Sequence, residues 1–208
     1  NNNPANPVIN TRSYGEDPHE VARLGVSFIH GLQDNGMIAT AKHFPGHGDT
    51  ETNSHLALPI VNVSRARLDT VELVPFRAAI KAGVGAVMTF HGSMPALDSS
   101  GAPGTLSHNV VTGLLRNELG FNGLVISDAM DMKGVTDKYG STEAVKRAVA
   151  AGVDVLIQPL DVPAAIDAVV AGVSEGRYSD VRVSEAARRI LAMKRKLSLD
   201  RNRFANLD

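Results

Sequence analysis

The sequence predicts an α/β fold built on a parallel sheet, and three observations carry that expectation. Apolar runs of strand length recur at 37–41, 86–91, 124–128 and 154–158, continuous as in strands covered on both faces. Between them lie segments of helical period with their own start and stop signals. Polar side chains gather directly behind the strands, Lys42 and His43 first, then His91, Asp128 and Gln158, where α/β enzymes build their sites.

In chain order, Asp17 is placed to cap a helix over 18–35, with Pro18 at its first position and Glu20 closing a capping box. The run Met37-Ile38-Ala39-Thr40-Ala41 is expected as a buried strand feeding a sharply turned loop, Lys42-His43-Phe44-Pro45-Gly46-His47-Gly48-Asp49-Thr50, which continues to Asn53-Ser54-His55. A helical region bearing Pro75 is expected to end near Gly83. Ser107 should cap a helix that stops at Gly120, and Ser141 one that stops at Gly152. Helices over 162–175 and 183–197 complete the chain, the last amphipathic and basic outside, with a frayed tail after Leu199. Four units in 208 residues fall short of a closed eight-unit barrel of ~250 residues. As a barrel, the chain lacks its first strands.

Composition narrows the function. A 43% hydrophobic content supports one core over residues 1–208, a single domain. With 21 basic and 22 acidic residues, no global field draws the chain to nucleic acid or to a membrane surface, and neutral or mildly polar ligands are favoured. There are no cysteines, which excludes disulfides and thiolate metal sites. No apolar run reaches the ~20 residues of a membrane span. The opening Asn1-Asn2-Asn3-Pro4 has neither an initiator Met nor a signal-peptide pattern, so the start of the gene product is expected upstream.

The histidine loop, Ser54-His55 and the later strand end Ser127-Asp128 together resemble the β-N-acetylglucosaminidases of glycoside hydrolase family 3, of the peptidoglycan-recycling type. Residues 6–18, Asn-Pro-Val-Ile-Asn-Thr-Arg-Ser-Tyr-Gly-Glu-Asp-Pro, resemble the stretch upstream of that loop. The resemblance covers nearly all of the chain and implies the C-terminal two-thirds of a (β/α)8 barrel, a TIM-barrel-type domain. It further implies a retaining double displacement on terminal β-linked N-acetylglucosamine, without cofactor or metal. Asp128 would be the nucleophile, and His55 would take the place of the acid/base histidine. Lys42, His43 and Arg12 match positions that hold sugar hydroxyls, and His91 lines the same rim. Where the family has Asp-Ser-His, this chain has Asn53-Ser54-His55. An aspartate would orient the imidazole and stabilise its cation. In the serine-protease triad an Asp-to-Asn change lowers turnover by ~10^4, so a reduced rate is expected here, with Asp49 the carboxylate placed to substitute.

Each residue also has a plainer reading. Arg12 could pair with Glu16 or Asp17, His47 could pin the loop backbone, Asp131 and Lys133 read as solvated, and Asp154, before its strand, reads as stabilising. Three other functions fit parts of the pattern. One is a metal-dependent hydrolase on His43, His47, Asp49 and His55, although their spacing is not His-Glu-x-x-His. Another is an N-acetylglucosaminide phosphorylase, since a histidine acid/base leaves room for phosphate. The third is a catalytically impaired sugar-binding fragment. An open barrel would expose apolar strand edge, which a second copy or a preceding N-terminal segment is expected to cover.

Overall fold

Four strands, β1 (Thr40–Phe44), β2 (Ala86–Thr89), β3 (Leu124–Ala129) and β4 (Val155–Ile157), lie side by side in chain order, every neighbouring pair parallel. The computed structural model describes residues 3–50 and 58–201. Each strand reaches its neighbour through a helical crossover, so all four present their C-terminal ends on one side. Thr40 pairs with Ala86, Ala86 with Leu124, and Ile126 with Val155.

The first strand differs from expectation. It begins at Thr40, and Met37 is 58% exposed. Pairing starts where the Ala86 N–H donates to the Ala39 carbonyl at 3.1 Å. Lys42 and His43 therefore belong to the strand, with Lys42 turned to solvent and His43 and Phe44 inward. An apolar run reports burial; pairing is set by the partner strand. The Lys42–His43 and Phe44–Pro45 peptide bonds are cis.

Helix α1 (Pro18–Gln33) is capped as its sequence demands, Asp17 Oδ1 accepting from the N–H groups of His19 and Glu20 at 2.8 and 3.0 Å. Glu20 does not close the box but binds Arg23. Helices α2 (Arg65–Arg67) and α3 (Leu73–Lys81) are joined by a π-helical turn, Leu68–Glu72. That turn lies just ahead of Pro75, which has no N–H to return to the preceding turn. The Ser107 hydroxyl accepts from Val110 N–H at 3.3 Å, ahead of a π-helical segment, Asn109–Glu118. An unforeseen helix, α4 (Lys133–Tyr139), follows β3. Its sequence, with Gly134, Val135 and Thr136, has weak helix propensity, and burial of Gly134 and Val135 holds it. Ser141 opens α5 (Ser141–Ala151) as a helical residue behind Gly140, not as its cap. Helix α6 (Val162–Ser174) is capped by Asp161. Helix α7 (Asp180–Lys196) starts earlier than expected because Ser179 caps it, accepting from Arg182 N–H.

The core lies between sheet and helices, where Phe44, Phe90, Leu68, Leu73, Leu115, Met130 and Val87 are fully buried. At the N-terminal end of β4 sits a buried ionic hub. Asp154, its side chain fully buried, meets Arg116 at 2.5 Å, Arg189 at 3.1 Å and Arg182 at 3.3 Å, and accepts from Val125 N–H at 3.0 Å. It thereby ties β3, β4 and α7 together at the end of the sheet remote from the polar strand ends.

Candidate active site

At the C-terminal ends of β1 and β3 the chain brings together a carboxylate, two imidazoles and two cations. Along β3 the alternation buries Ser127 completely and turns Asp128, 16% exposed, toward the opening. The Ser127 hydroxyl accepts from Ile157 N–H at 3.1 Å, fixing the end of β4 against β3. Asp128 Oδ1 accepts from Ala129 N–H at 2.9 Å, and Oδ2 stands 3.9 Å from His43 Nε2.

His43 is 8% exposed, and its pKa is pushed down to about 3. Burial is the main cause, with Lys42, His47 and Arg12 acting in the same direction and Asp128 opposing them. The imidazole is thus neutral at physiological pH, a hydrogen-bond donor or acceptor without charge. At 3.9 Å it makes no direct hydrogen bond to Asp128. Lys42 projects from β1 into solvent beside it. Arg12 lies on a short 3-10 turn, Asn10–Arg12, where its Nε donates to the Val8 carbonyl at 2.9 Å. It pairs with neither Glu16 nor Asp17, and its charge bears on His43.

The turn after β1 is pinned from two sides. His47, 3% exposed, has Nδ1 2.8 Å from Thr50 Oγ1, meets the His43 ring edge-on with centroids 5.8 Å apart and packs at a 40° tilt against Phe90 with centroids 4.2 Å apart. Asn6, buried to 1%, donates to the His47 carbonyl at 2.7 Å and to Thr50 Oγ1 at 3.2 Å, while its Oδ1 accepts from the N–H groups of Val8 and Ile9. One side chain therefore joins the Arg12 segment to the histidine turn. Sequence reasoning missed Asn6, because an Asn beside prolines gives only the signal of an ordinary turn.

His91, expected on the same rim, stands inside the fold. It is fully buried and both ring nitrogens are engaged. The Ala129 carbonyl can only accept, so Nε2 carries the proton at 2.9 Å. Nδ1 then accepts from the Thr105 hydroxyl at 2.8 Å, which in turn accepts from Thr89. Burial lowers the His91 pKa, keeping the ring neutral. It supports the backbone beside Asp128 from beneath. Asn53 and His55 lie outside the described residues. Among the described residues no three His, Asp or Glu side chains converge on a metal-holding geometry. No helix of the described residues is long and apolar enough to cross a membrane.

The chain is similar to beta-hexosaminidase A of Pseudoalteromonas piscicida, 40% identical over 171 residues that make up 77% of this chain and 29% of that protein. In structure it is similar to a glycoside hydrolase family 3 beta-N-acetylglucosaminidase from Paenibacillus sp. str. FPU-7, with TM-score 0.95 and 47% identity over 100% of this chain and 40% of that one. It is also similar to beta-glucoside phosphorylase BglX, with TM-score 0.92 and 32% identity over 97% of this chain and 38% of that one. The chain spans less than half the length of the curated relatives it matches. Its open parallel sheet with covering helices is an incomplete barrel of the TIM type. Residues 1–193 match the glycosyl hydrolase family 3 N-terminal domain, and the chain belongs to that family.

Proposed function

We propose that this chain carries the catalytic face of a retaining β-N-acetylhexosaminidase that releases terminal, non-reducing β-linked N-acetylglucosamine from peptidoglycan or chitin-type fragments. The observation that carries the reading is Asp128, a partly exposed carboxylate at a strand end, with one oxygen fixed by Ala129 N–H and the other facing a neutral imidazole. Support comes from the family and from the names of two similar proteins, a beta-hexosaminidase and a beta-N-acetylglucosaminidase.

In this reading Asp128 attacks the anomeric carbon as the bond to the leaving oxygen breaks, and His55 delivers the proton to that oxygen. Water then cleaves the glycosyl ester, giving its proton back to His55. Neutral His43 suits such a nucleophile: it can donate to a sugar hydroxyl without placing a positive charge that would drain the carboxylate. Lys42 and Arg12 supply charged donors that hold sugar hydroxyl oxygens and so orient the ring for attack. With Asn53 where the family has a carboxylate two positions before the histidine, a slow enzyme is expected.

The test is release of the chromophore from an aryl β-N-acetylglucosaminide between pH 5 and 8, with and without inorganic phosphate. Slow turnover is expected from the parent, faster turnover from Asn53→Asp, and a loss of at least ~10^3-fold from Asp128→Asn, since an amide cannot take the carboxylate's covalent role. Turnover undiminished in Asp128→Asn sinks the assignment. The likeness to a phosphorylase favours a second reading, and formation of the sugar 1-phosphate only when phosphate is present would establish it. Binding of the sugar by a folded chain that turns over nothing would make this a binding fragment.

A further inference from the structure

A charge cluster that the catalytic reading does not use braces the histidine turn from behind. Arg67 ends α2 and Glu72 ends the π-helical turn, and their Nη2 and Oε1 atoms are 3.2 Å apart. Asp49, on the histidine turn, has Oδ2 3.8 Å from the same Nη2. The Glu72 side chain is 7% exposed. Its stem fills the space beside Gly46, where an added β-carbon would come within 2.9 Å of Glu72 Cγ. Gly46 has φ +149°, a conformation other residues resist, so turn and helix meet at a point where no side chain fits.

The cluster is poorly suited to mere stability. Arg67 Nε and Glu72 Oε2 are buried and make no hydrogen bond among the described residues, while Arg67 Nη2 has its ion-pair contacts to Glu72 and Asp49. Burial raises the Glu72 carboxyl above its ordinary range, with Asp49 adding to the effect and Arg67 opposing it. Buried charge with unmet hydrogen bonds weakens a fold, and each instance calls for a reason. Here the position supplies one. π-Helical turns recur at functional sites, and a short path of contacts leads from this one to Asp128. Gly46 adjoins His47, His47 meets His43 edge-on at 5.8 Å, and His43 Nε2 stands 3.9 Å from Asp128 Oδ2.

We propose that Arg67 and Glu72 are positioning residues of the site: from the two ends of the π-helical turn, they hold Gly46 to Asp49 in place and thereby set where the His43 imidazole stands relative to Asp128. The catalytic consequence rests on Asp128 being the nucleophile. The geometric claim concerns His43 and His47 alone.

The test is side-chain NMR of the histidines in the whole 208-residue chain, comparing Glu72→Gln, Arg67→Gln, the conservative Arg67→Lys and the control Arg65→Gln. The control breaks neighbouring ion pairs to Asp69 and Glu118 without touching the histidine turn. The His43 and His47 imidazole signals are expected to move in Glu72→Gln and Arg67→Gln, to return toward the parent in Arg67→Lys, and to stay in place in Arg65→Gln. On the aryl glycoside, the first two variants should lower kcat by about tenfold or more while KM stays within about twofold, the pattern of misplaced groups. Signals unmoved in both Glu72→Gln and Arg67→Gln, or moved equally by Arg65→Gln, overturn the proposal whether or not the chain is active. A parent chain without turnover overturns the catalytic reading instead, and the NMR comparison still decides the positioning role. Should Arg67→Gln fail to fold, Glu72→Gln and Arg67→Lys carry the same comparison.

Discussion

His43 couples the site to the stability of the fold. Its folded pKa of about 3 lies below the ~6.5 of an exposed imidazole, so between these values the unfolded chain binds the proton and the folded chain does not. Stability from this residue is full above pH ~6.5 and is lost as pH falls, by about 1.4 kcal/mol per unit, until the folded value is reached. Denaturant unfolding at pH 7, 5.5 and 4.5 should therefore show a falling midpoint, with a shallower fall in His43→Gln. Equal slopes in the two proteins would remove His43 as the cause. The sequence made His43 visible as a strand-end histidine but could not reveal that it is neutral, because its neutrality comes chiefly from burial by the folded chain. His91 sent the same signal from the next strand. It differs only in packing, where Thr105, brought in from a separate segment, engages Nδ1, and no local pattern reports that partner. Asn6 was hidden for the same reason, since its partners His47 and Thr50 lie more than 40 residues away.

Among elements, the buried hub at the start of β4 makes the firmest claim. Asp154 sits among three guanidinium groups, and burial pulls the pKa values of Arg116 and Arg182 below their usual range while Asp154 opposes the shift. Removing the carboxylate leaves cations in a dry setting without their counter-charge and frees Val125 N–H. Asp154→Ala should therefore cost about 3–5 kcal/mol in urea unfolding, and Asp154→Asn less, since the amide oxygen can still accept from Val125. A loss under about 1 kcal/mol in Asp154→Ala would mean that the guanidiniums find water instead. Element order was legible because apolar runs and caps are local, as Asp17 and the strand 124–128 illustrate. Boundaries were less so. Pairing with Ala86 moved β1 toward the histidines, and burial of Gly134 and Val135 made a helix that propensity does not favour.

For the molecule as a whole, the open edge of the sheet governs behaviour in solution. Helix α6 buries Ala165, Ala168 and Gly172 on one face and exposes Val162, Ile166 and Val170 at 55%, 59% and 61% on the other, with Leu160 at 65% beside them. Four-residue spacing makes these one stripe, and the strand that precedes it in the chain, β4, has Val155, Leu156 and Ile157 only half-buried and an outer edge that pairs with no strand among the described residues. An exposed apolar stripe and a strand edge with unpaired backbone N–H and C=O groups each favour association. The 208-residue chain should therefore sediment as concentration-dependent oligomers, and Ile166→Glu with Val170→Glu should shift it toward monomer without altering histidine NMR signals at the remote site. Adding polypeptide that supplies the remaining β/α units should compete with self-association for the same edge, and the double Glu variant should weaken both. A parent chain that stays monomeric at high concentration and does not bind such units would show that half-burial of β4 is enough to close this edge.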